Sequence, residues 1–280
     1  MSSDGAGDDG PEAVWDAVAE AWDRHHEVLS AHTQPVAQRL LALAKVQPND
    51  VVLELAAGLG ELSRALAQRV SPGGRVIGTD LSPQMVQLAA RRSAAIDNLS
   101  FQVVDAQQMR LADDSIDVVI CKMGLMLFAD PVAAVAECRR VLQSDGRLAV
   151  ATWGPAERNL WITTFGAAML THGHQPSGDP KAPGGIFSLS SSDKLADLLS
   201  SAGFADVTVE DMDAPQRFAD FDRYWQHISE TSGPLTVVLG TLPAEKIDAV
   251  RSTCEEYAAH LRAEDGTYAF PGCALVATAR

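Results

Sequence analysis

Apolar residues between positions 11 and 45 recur every three or four residues. Val14, Trp15, Val18, Ala21 and Trp22 form one stripe, and Leu40, Leu41 and Leu43 form a second that begins at Pro35, so two amphipathic helices are predicted. From Val51 the period changes, and short β-branched apolar runs alternate with helical stretches. Strands are predicted at 51–55, 75–80, 99–105, 116–121 and 147–152, with helices at about 61–70, 83–95 and 131–141. Ser82-Pro83 and Asp130-Pro131 each place a capping side chain before a first-turn proline, while Ser71-Pro72-Gly73-Gly74 and Asp145-Gly146 read as turns. This alternation predicts an α/β protein. Its sheet should be Rossmann-like and mostly parallel, with helices on both faces and a ligand at the carboxyl ends of the strands.

The rhythm breaks after Trp153. A helical stretch through Trp161, Phe165 and Met169 leads into a Gly/Pro-rich loop, then a helix over 191–203 and a strand near 207–209. Residues 212–262 read as further helices and 268–279 as a last strand. The expected organisation is a disordered tail over 1–12, an N-terminal helical cap over 13–46 and a main domain over 47–280. That domain carries helical insertions at about 155–186 and 212–264, of which the second is a natural lid.

The chemistry concentrates where the first strand ends. Val51-Val52-Leu53-Glu54-Leu55-Ala56-Ala57 runs into Gly58-Leu59-Gly60-Glu61, and Asp80 ends the next strand. Glycines let a backbone turn tightly and approach a ligand closely, and an acid at the second strand end can accept from both hydroxyls of a ribose. A nucleoside is implied. Gly58-x-Gly60-x-x-Ser63 is one substitution from a dinucleotide fingerprint, so glycine spacing alone leaves a nicotinamide dinucleotide and S-adenosylmethionine both open. The acids separate them. Glu61 directly follows the second glycine and Glu54 interrupts an apolar strand; carboxylates there repel a pyrophosphate and suit a ligand carrying an ammonium and a sulfonium.

Composition narrows the partners. The 280 residues carry a formal net charge of −15, against general binding to nucleic acid or an anionic membrane. No run is apolar and long enough to span a bilayer, and the first twelve residues lack a leader pattern, so a cytoplasmic protein is expected. Cys121, Cys138, Cys254 and Cys273 form no C-x-x-C pair, and His172-Gly173-His174 has no acidic or thiol ligand beside it, so no metal site is predicted. A homodimer stays open.

At this point the chain resembles the class I S-adenosylmethionine-dependent methyltransferases, in the branch related to ubiquinone and menaquinone biosynthesis. The resemblance rests on Val52 to Gly60, on Gly78-Thr79-Asp80-Leu81-Ser82-Pro83-Gln84-Met85 and on Val104-Asp105-Ala106. It continues through Ile116-Asp117-Val118-Val119, Gly124-Leu125-Met126, Asp130-Pro131, Arg140-Val141-Leu142 and Thr152 to Trp161. It implies a seven-stranded sheet with an antiparallel last strand. It also implies that the turn with Ala56, Ala57, Gly58 and Gly60 wraps the methionine part of the cofactor, with Glu54 at its ammonium. Asp80 would hold the ribose, Leu81 and Met85 would pack near the adenine, Asp105 would accept from its amino group and Ala106 would donate to a ring nitrogen. Cys121 and Lys122 would border the methionine through their main chains. Ala56-Ala57 departs from the family's commoner pair, and Lys122 stands where other cations or small polar residues often occur.

The expected reaction is in-line methyl transfer to a small, partly hydrophobic acceptor. The alternatives are an NAD(P)-dependent oxidoreductase and a non-catalytic protein retaining the cofactor fold. An oxygen or nitrogen acceptor needs its proton removed, and His25, His26 and His227 are the candidates on segments able to cover the cleft. Trp15, Trp22, Trp161, Phe218, Phe221, Tyr224 and Trp225 are either core or the lining of an acceptor pocket.

Overall fold

The computed structural model describes residues 10–174 and 178–280. Two helices, α1 (Pro11–Arg24) and α2 (His26–Ala44), precede β1 (Val51–Leu55), α3 (Glu61–Val70), β2 (Arg75–Asp80), α4 (Pro83–Arg92) and β3 (Leu99–Val103). There follow β4 (Ile116–Lys122), α5 (Pro131–Val141), β5 (Leu142–Trp153), α6 (Leu160–Thr171), α7 (Ser192–Ser201) and β6 (Thr208–Asp213). The chain ends with β7 (Gln216–Phe218), α8 (Phe221–Thr231), α9 (Pro234–Gly240), α10 (Ala244–Ala258), β8 (Tyr268–Phe270) and β9 (Cys273–Ala279).

Seven strands form one sheet in the order β3-β2-β1-β4-β5-β9-β6. All neighbours are parallel except β9, which runs antiparallel to both β5 and β6. The central strands β1 and β4 are buried almost throughout, which is why they read as largely apolar runs, broken by Glu54 in β1 and Asp117 in β4. Their carboxyl ends meet at the turn after β1, and strand order reverses there, because β1 lies between β2 and β4. Among the described residues no helix is long and apolar enough to cross a membrane.

Several boundaries differ from those the sequence predicts. The expected tail falls mostly on residues 1–9, outside the described residues, and Pro11 and Glu12 already belong to α1. Pro35 does not begin a helix; it lies inside α2, which stays continuous because Val36, Leu40, Leu41 and Ala44 bury its far half against the sheet. β3 ends at Val103 rather than 105, and α4 ends at Arg92 rather than near 95. Asp145-Gly146 sits within an irregularity of β5, between the pairs Ile116 with Leu142 and Val118 with Arg147, so that strand starts earlier than predicted.

The largest difference lies in the last third. Residues 212–262 are not all helical, since β6 runs to Asp213 and β7 comes directly after it. The expected last strand over 268–279 is broken at Pro271-Gly272, because proline cannot donate to a ladder. Its first half, β8, pairs with β7 in a separate two-stranded sheet, and its second half, β9, enters the main one. Phe218, Phe221, Tyr224 and Phe270 close this subassembly, with Tyr224 and Phe270 stacked at 4.1 Å and the Tyr224 hydroxyl donating to the Trp161 carbonyl at 2.9 Å. Most of the aromatic residues expected as pocket lining are therefore core. Asn159, fully buried, joins β5 to β9: its amide donates to the carbonyls of Gly154, Pro155 and Cys273 and accepts from the main-chain amide of Cys273, each at 3.1 Å.

Two residues without glycine's freedom adopt left-handed backbone at neighbouring strand ends: Ala56 (φ 51°) after β1 and Met123 (φ 59°) after β4. The Ala56 methyl lies so close to Gly124 that a side chain on Gly124 would come within 2.4 Å of it. A left-handed alanine costs about 1–2 kcal/mol relative to its right-handed form. Replacing Ala56 by glycine relieves that cost and loosens the unfolded chain, so Ala56→Gly is expected to stabilise the protein by up to about 1 kcal/mol. Urea denaturation measures this, and clear destabilisation would mean that contacts of the methyl outweigh the strain.

Candidate functional site

The turn after β1 is built from main-chain bonds to β2 and one carboxylate. The Ala57 amide donates to the Thr79 carbonyl and the Gly60 amide to the Ala57 carbonyl, both at 2.9 Å. Between them the Gly58 amide donates to Asp80 Oδ2 at 2.9 Å, while Asp80 Oδ1 accepts from the Ser82 amide at 3.0 Å. Asp80 therefore locks the glycine turn to the start of α4. Each carboxylate oxygen keeps a further lone pair for a ligand. Burial holds the Asp80 carboxyl above its ordinary pKa, opposed by those amides.

The two glycines do different work. Gly58 (φ 53°) has open space at its Cα up to the ring of Trp22, which lies 3.6 Å from where a Cβ would stand. Gly60 (φ 75°) is filled from behind, since a Cβ there would meet the Phe101 ring at 2.5 Å. Gly60 is thus needed for packing and for the left-handed entry into α3.

Charges converge beneath the turn. Glu54 is 1% exposed, accepts from the Ser63 hydroxyl, and has its pKa pushed up to about 7 by burial, against the pull of Ser63 and Lys122. Lys122, at the end of β4, is held below its ordinary pKa by burial and donates to Thr33 Oγ1 at 3.1 Å. Glu61 Oε1 is buried with no hydrogen-bond partner, its nearest cation being Arg64 at 3.4 Å. A buried carboxyl group, an orphaned carboxylate oxygen and an ammonium at one place form a donor set that fits an amino acid, whose ammonium and carboxylate need both signs. The methionine end of S-adenosylmethionine fits this set.

The other predicted contacts spread along the strand ends. The amide of Val104 donates to the Asp80 carbonyl at 3.0 Å, placing Asp105 just beyond the second acid. Asp105 is exposed, and its Oδ1 accepts from both the main-chain and side-chain nitrogens of Gln107 at 2.9 Å. Ala106 is buried in the main core. The side chain of Cys121 is buried, with its thiol pushed up to about 12 by burial, so it is inert. Leu81 comes directly after Asp80. Met85 is 2% exposed and belongs to a separate apolar cluster with Val18, Ala19, Leu59 and Leu88, against which Trp15 and Trp22 pack.

That cluster is the underside of α1, whose position the sequence left open. Asp16 accepts from the Ser82 hydroxyl and, at 3.2 Å, from the Gln84 amide, so it caps α4. Asp23 pairs with Arg92 at 2.6 Å. On the other side the Trp22 indole donates to the Thr231 carbonyl at 3.0 Å, and Arg24 and His25 both reach Glu230 at 3.0 Å. α1 thus straps the glycine turn and α4 to α8. Of the predicted histidines, His25 and His227 come together, with ring centroids 6.1 Å apart, and His26 does not, since its Nδ1 donates to the Asp23 carbonyl. Sequence pattern assigns no such roles to Asp16, Trp22, His32 and Thr33. Trp22 was legible as an apolar helix position, but its direction depends on how α1 docks.

Residues 47–174 match the family model of a methyltransferase domain. The ubiquinone/menaquinone biosynthesis C-methyltransferase UbiE of Hydrogenovibrio crunogenus is 32% identical over 141 residues, covering 49% of this chain and 56% of that protein. Nocamycin O-methyltransferase of Saccharothrix syringae is 31% identical over 196 residues, covering 62% of this chain and 66% of that protein. The chain spans about half the length of the first of these relatives. Among solved structures, the YcgJ protein of Bacillus subtilis shares the fold with a TM-score of 0.60 and 19% identity, over 87% of this chain and 96% of that one. Residues 47–174, which carry the glycine turn, Glu54, Asp80 and Lys122, are thus the part of the chain that is similar to methyltransferase domains.

Proposed function

We propose that the protein transfers a methyl group from S-adenosylmethionine to a small, partly hydrophobic organic acceptor. One observation carries the reading: the Gly58 amide, which a dinucleotide site would offer to a pyrophosphate, is taken by Asp80, and Glu54 lies buried behind it. The relatives support a small acceptor, since their names specify quinone-pathway C-methylation and nocamycin O-methylation. The net charge of −15 disfavours a nucleic acid.

In this reading the cofactor, when bound, supplies an electrophilic methyl on a sulfonium whose leaving group is already good. The chain supplies placement and dryness. Glu54 and Glu61 receive the ammonium, Lys122 receives the carboxylate, Asp80 accepts from the ribose, and Asp105, Ala106 and Leu81 border the adenine. Met85 supports the adenine side through the cluster beneath α1. With Trp22 over Gly58, α1 keeps water from the turn. Cys121 contributes main chain only.

Calorimetry with S-adenosylhomocysteine is the direct test. Saturable one-to-one binding is expected, and saturable NAD(H) binding in its place would overturn the reading. Asp80→Ala is expected to weaken S-adenosylhomocysteine by about 1.5–3 kcal/mol, the range for hydrogen bonds to a charged group. Unchanged affinity in a folded variant would place the ribose elsewhere.

Glu54 adds a proton-linked prediction. Its pKa near 7 leaves it mostly protonated at pH 6, and an ammonium beside it favours the ionised form. Binding of S-adenosylhomocysteine at pH 6 is therefore expected to release up to about one proton, read from the dependence of binding enthalpy on buffer ionisation heat. Glu54→Gln should abolish the release. The same release in that variant would assign the proton to another group.

A further inference from the structure

The two edges of the main sheet are defended unequally. At one edge β6 carries Glu210, Asp211 and Asp213, with Arg39 and Arg158 laid against them. At the other, β3 reads Leu99-Ser100-Phe101-Gln102-Val103, without a charge, a proline or a bulge. Proteins ordinarily guard an open strand edge with such devices, because its main-chain groups invite pairing with another chain.

The hydrogen bonds to β2 fix which of those groups are open. The Val76 amide donates to the Asn98 carbonyl at 2.8 Å, and the Val104 amide donates to the Asp80 carbonyl at 3.0 Å. Even-numbered residues of this stretch therefore turn their main chain toward β2, and the odd-numbered ones turn it outward. Among the described residues, the amides and carbonyls of Phe101 and Val103 and the carbonyl of Leu99 have no partner on that outer side. Solvent reaches the strand there, since Ser100 and Gln102 are exposed and Val103 is 52% exposed.

We propose that β3 pairs antiparallel with β3 of a second copy of this chain, about a two-fold axis at Phe101, joining the two main sheets into one. The strand itself selects that occupant, because its pattern is the same read in either direction. With Phe101 opposite Phe101, Leu99 lies opposite Val103 and Ser100 opposite Gln102, so apolar residues meet on one face and uncharged polar residues meet on the other. The open main-chain groups match in the same register. Each Phe101 amide donates to the carbonyl of the other copy's Phe101, and each Val103 amide donates to the carbonyl of the other copy's Leu99. The same operation at β6 would set acids against acids. A net charge of −15 repels a second copy at long range, so an uncharged strand is where two copies can approach, and salt should tighten the dimer by screening that repulsion.

The test uses the full chain at about 5 and about 500 μM, in sedimentation velocity and in amide hydrogen exchange followed residue by residue. A dimer that forms with concentration is expected, with the Phe101 and Val103 amides protected only as it forms. Val103→Pro removes an outward amide and costs no bond to β2, so it should weaken the dimer by about tenfold or more. Two further variants read the register through exposed side chains alone. Ser100→Lys with Gln102→Lys sets like charges opposite each other and should weaken the dimer, even though it lowers the net negative charge. Ser100→Lys with Gln102→Glu sets opposite charges together and should associate at least as well as the parent. A chain that stays monomeric at the higher concentration in high salt would overturn the proposal. So would a dimer in which exchange at Phe101 and Val103 is unchanged and the two charge variants associate equally.

Discussion

The bond from the Gly58 amide to Asp80 is the constraint on which the cleft depends. It joins the turn after β1 to the end of β2, and through the other oxygen of the same carboxylate it reaches Ser82, which caps α4. A single side chain thereby sets the distance between the glycine turn and the next helix. A charge-assisted bond in a partly desolvated place is stronger than an exposed one, and losing it would leave two amides without partners. Asp80 is thus a structural latch. The latch and the proposed ribose contact are not competitors, because a carboxylate accepts more than two bonds.

Around that latch the molecule joins two halves that the main sheet does not connect directly. One half consists of β1 to β3 with α3 and α4; the other is the aromatic subassembly of β7, β8 and α8. α1 bridges them, held by Asp16 and Asp23 on one side and by Trp22, Arg24 and His25 on the other. These are mostly partly exposed polar contacts around a small apolar cluster, and individual exposed pairs contribute little. The strap is therefore weakly held compared with the sheet beneath it. A cover of this kind suits a cleft that must both exclude water and exchange ligands.

The electrostatics beneath the turn arise from burial. Glu54 and Lys122 are removed from water, each is pushed toward its neutral form, and each favours the charge of the other. Ser63 and Thr33 supply the hydrogen bonds that make this tolerable.

The strands and helices from Val51 to Val141 were legible because each carries its own local signal. Apolar runs the length of one strand end in glycine or acid, and Ser82-Pro83 and Asp130-Pro131 mark helix starts through chemistry within a few residues. The acids Glu54 and Asp80 were legible for the same reason, as polar residues where an apolar run should continue or end. Local pattern failed where a distant partner decides. Pro35 continues a helix because the sheet buries Val36, Leu40 and Leu41, and the run from Tyr268 to Ala279 divides because β7 claims its first half. Gly60 reads as a ligand glycine in the sequence, whereas Phe101, from two strands away, fills the space above it. The histidines show the same limit. His25 and His227 could be named from the sequence, but His32 joins them only because α2, α8 and β7 meet. Strand-end chemistry was thus written locally in the chain, since those groups lie within a few residues of the turns that present them. How α1 docks over the glycine turn was settled by tertiary packing, since its contacts join residues about two hundred positions apart, as between Trp22 and Thr231.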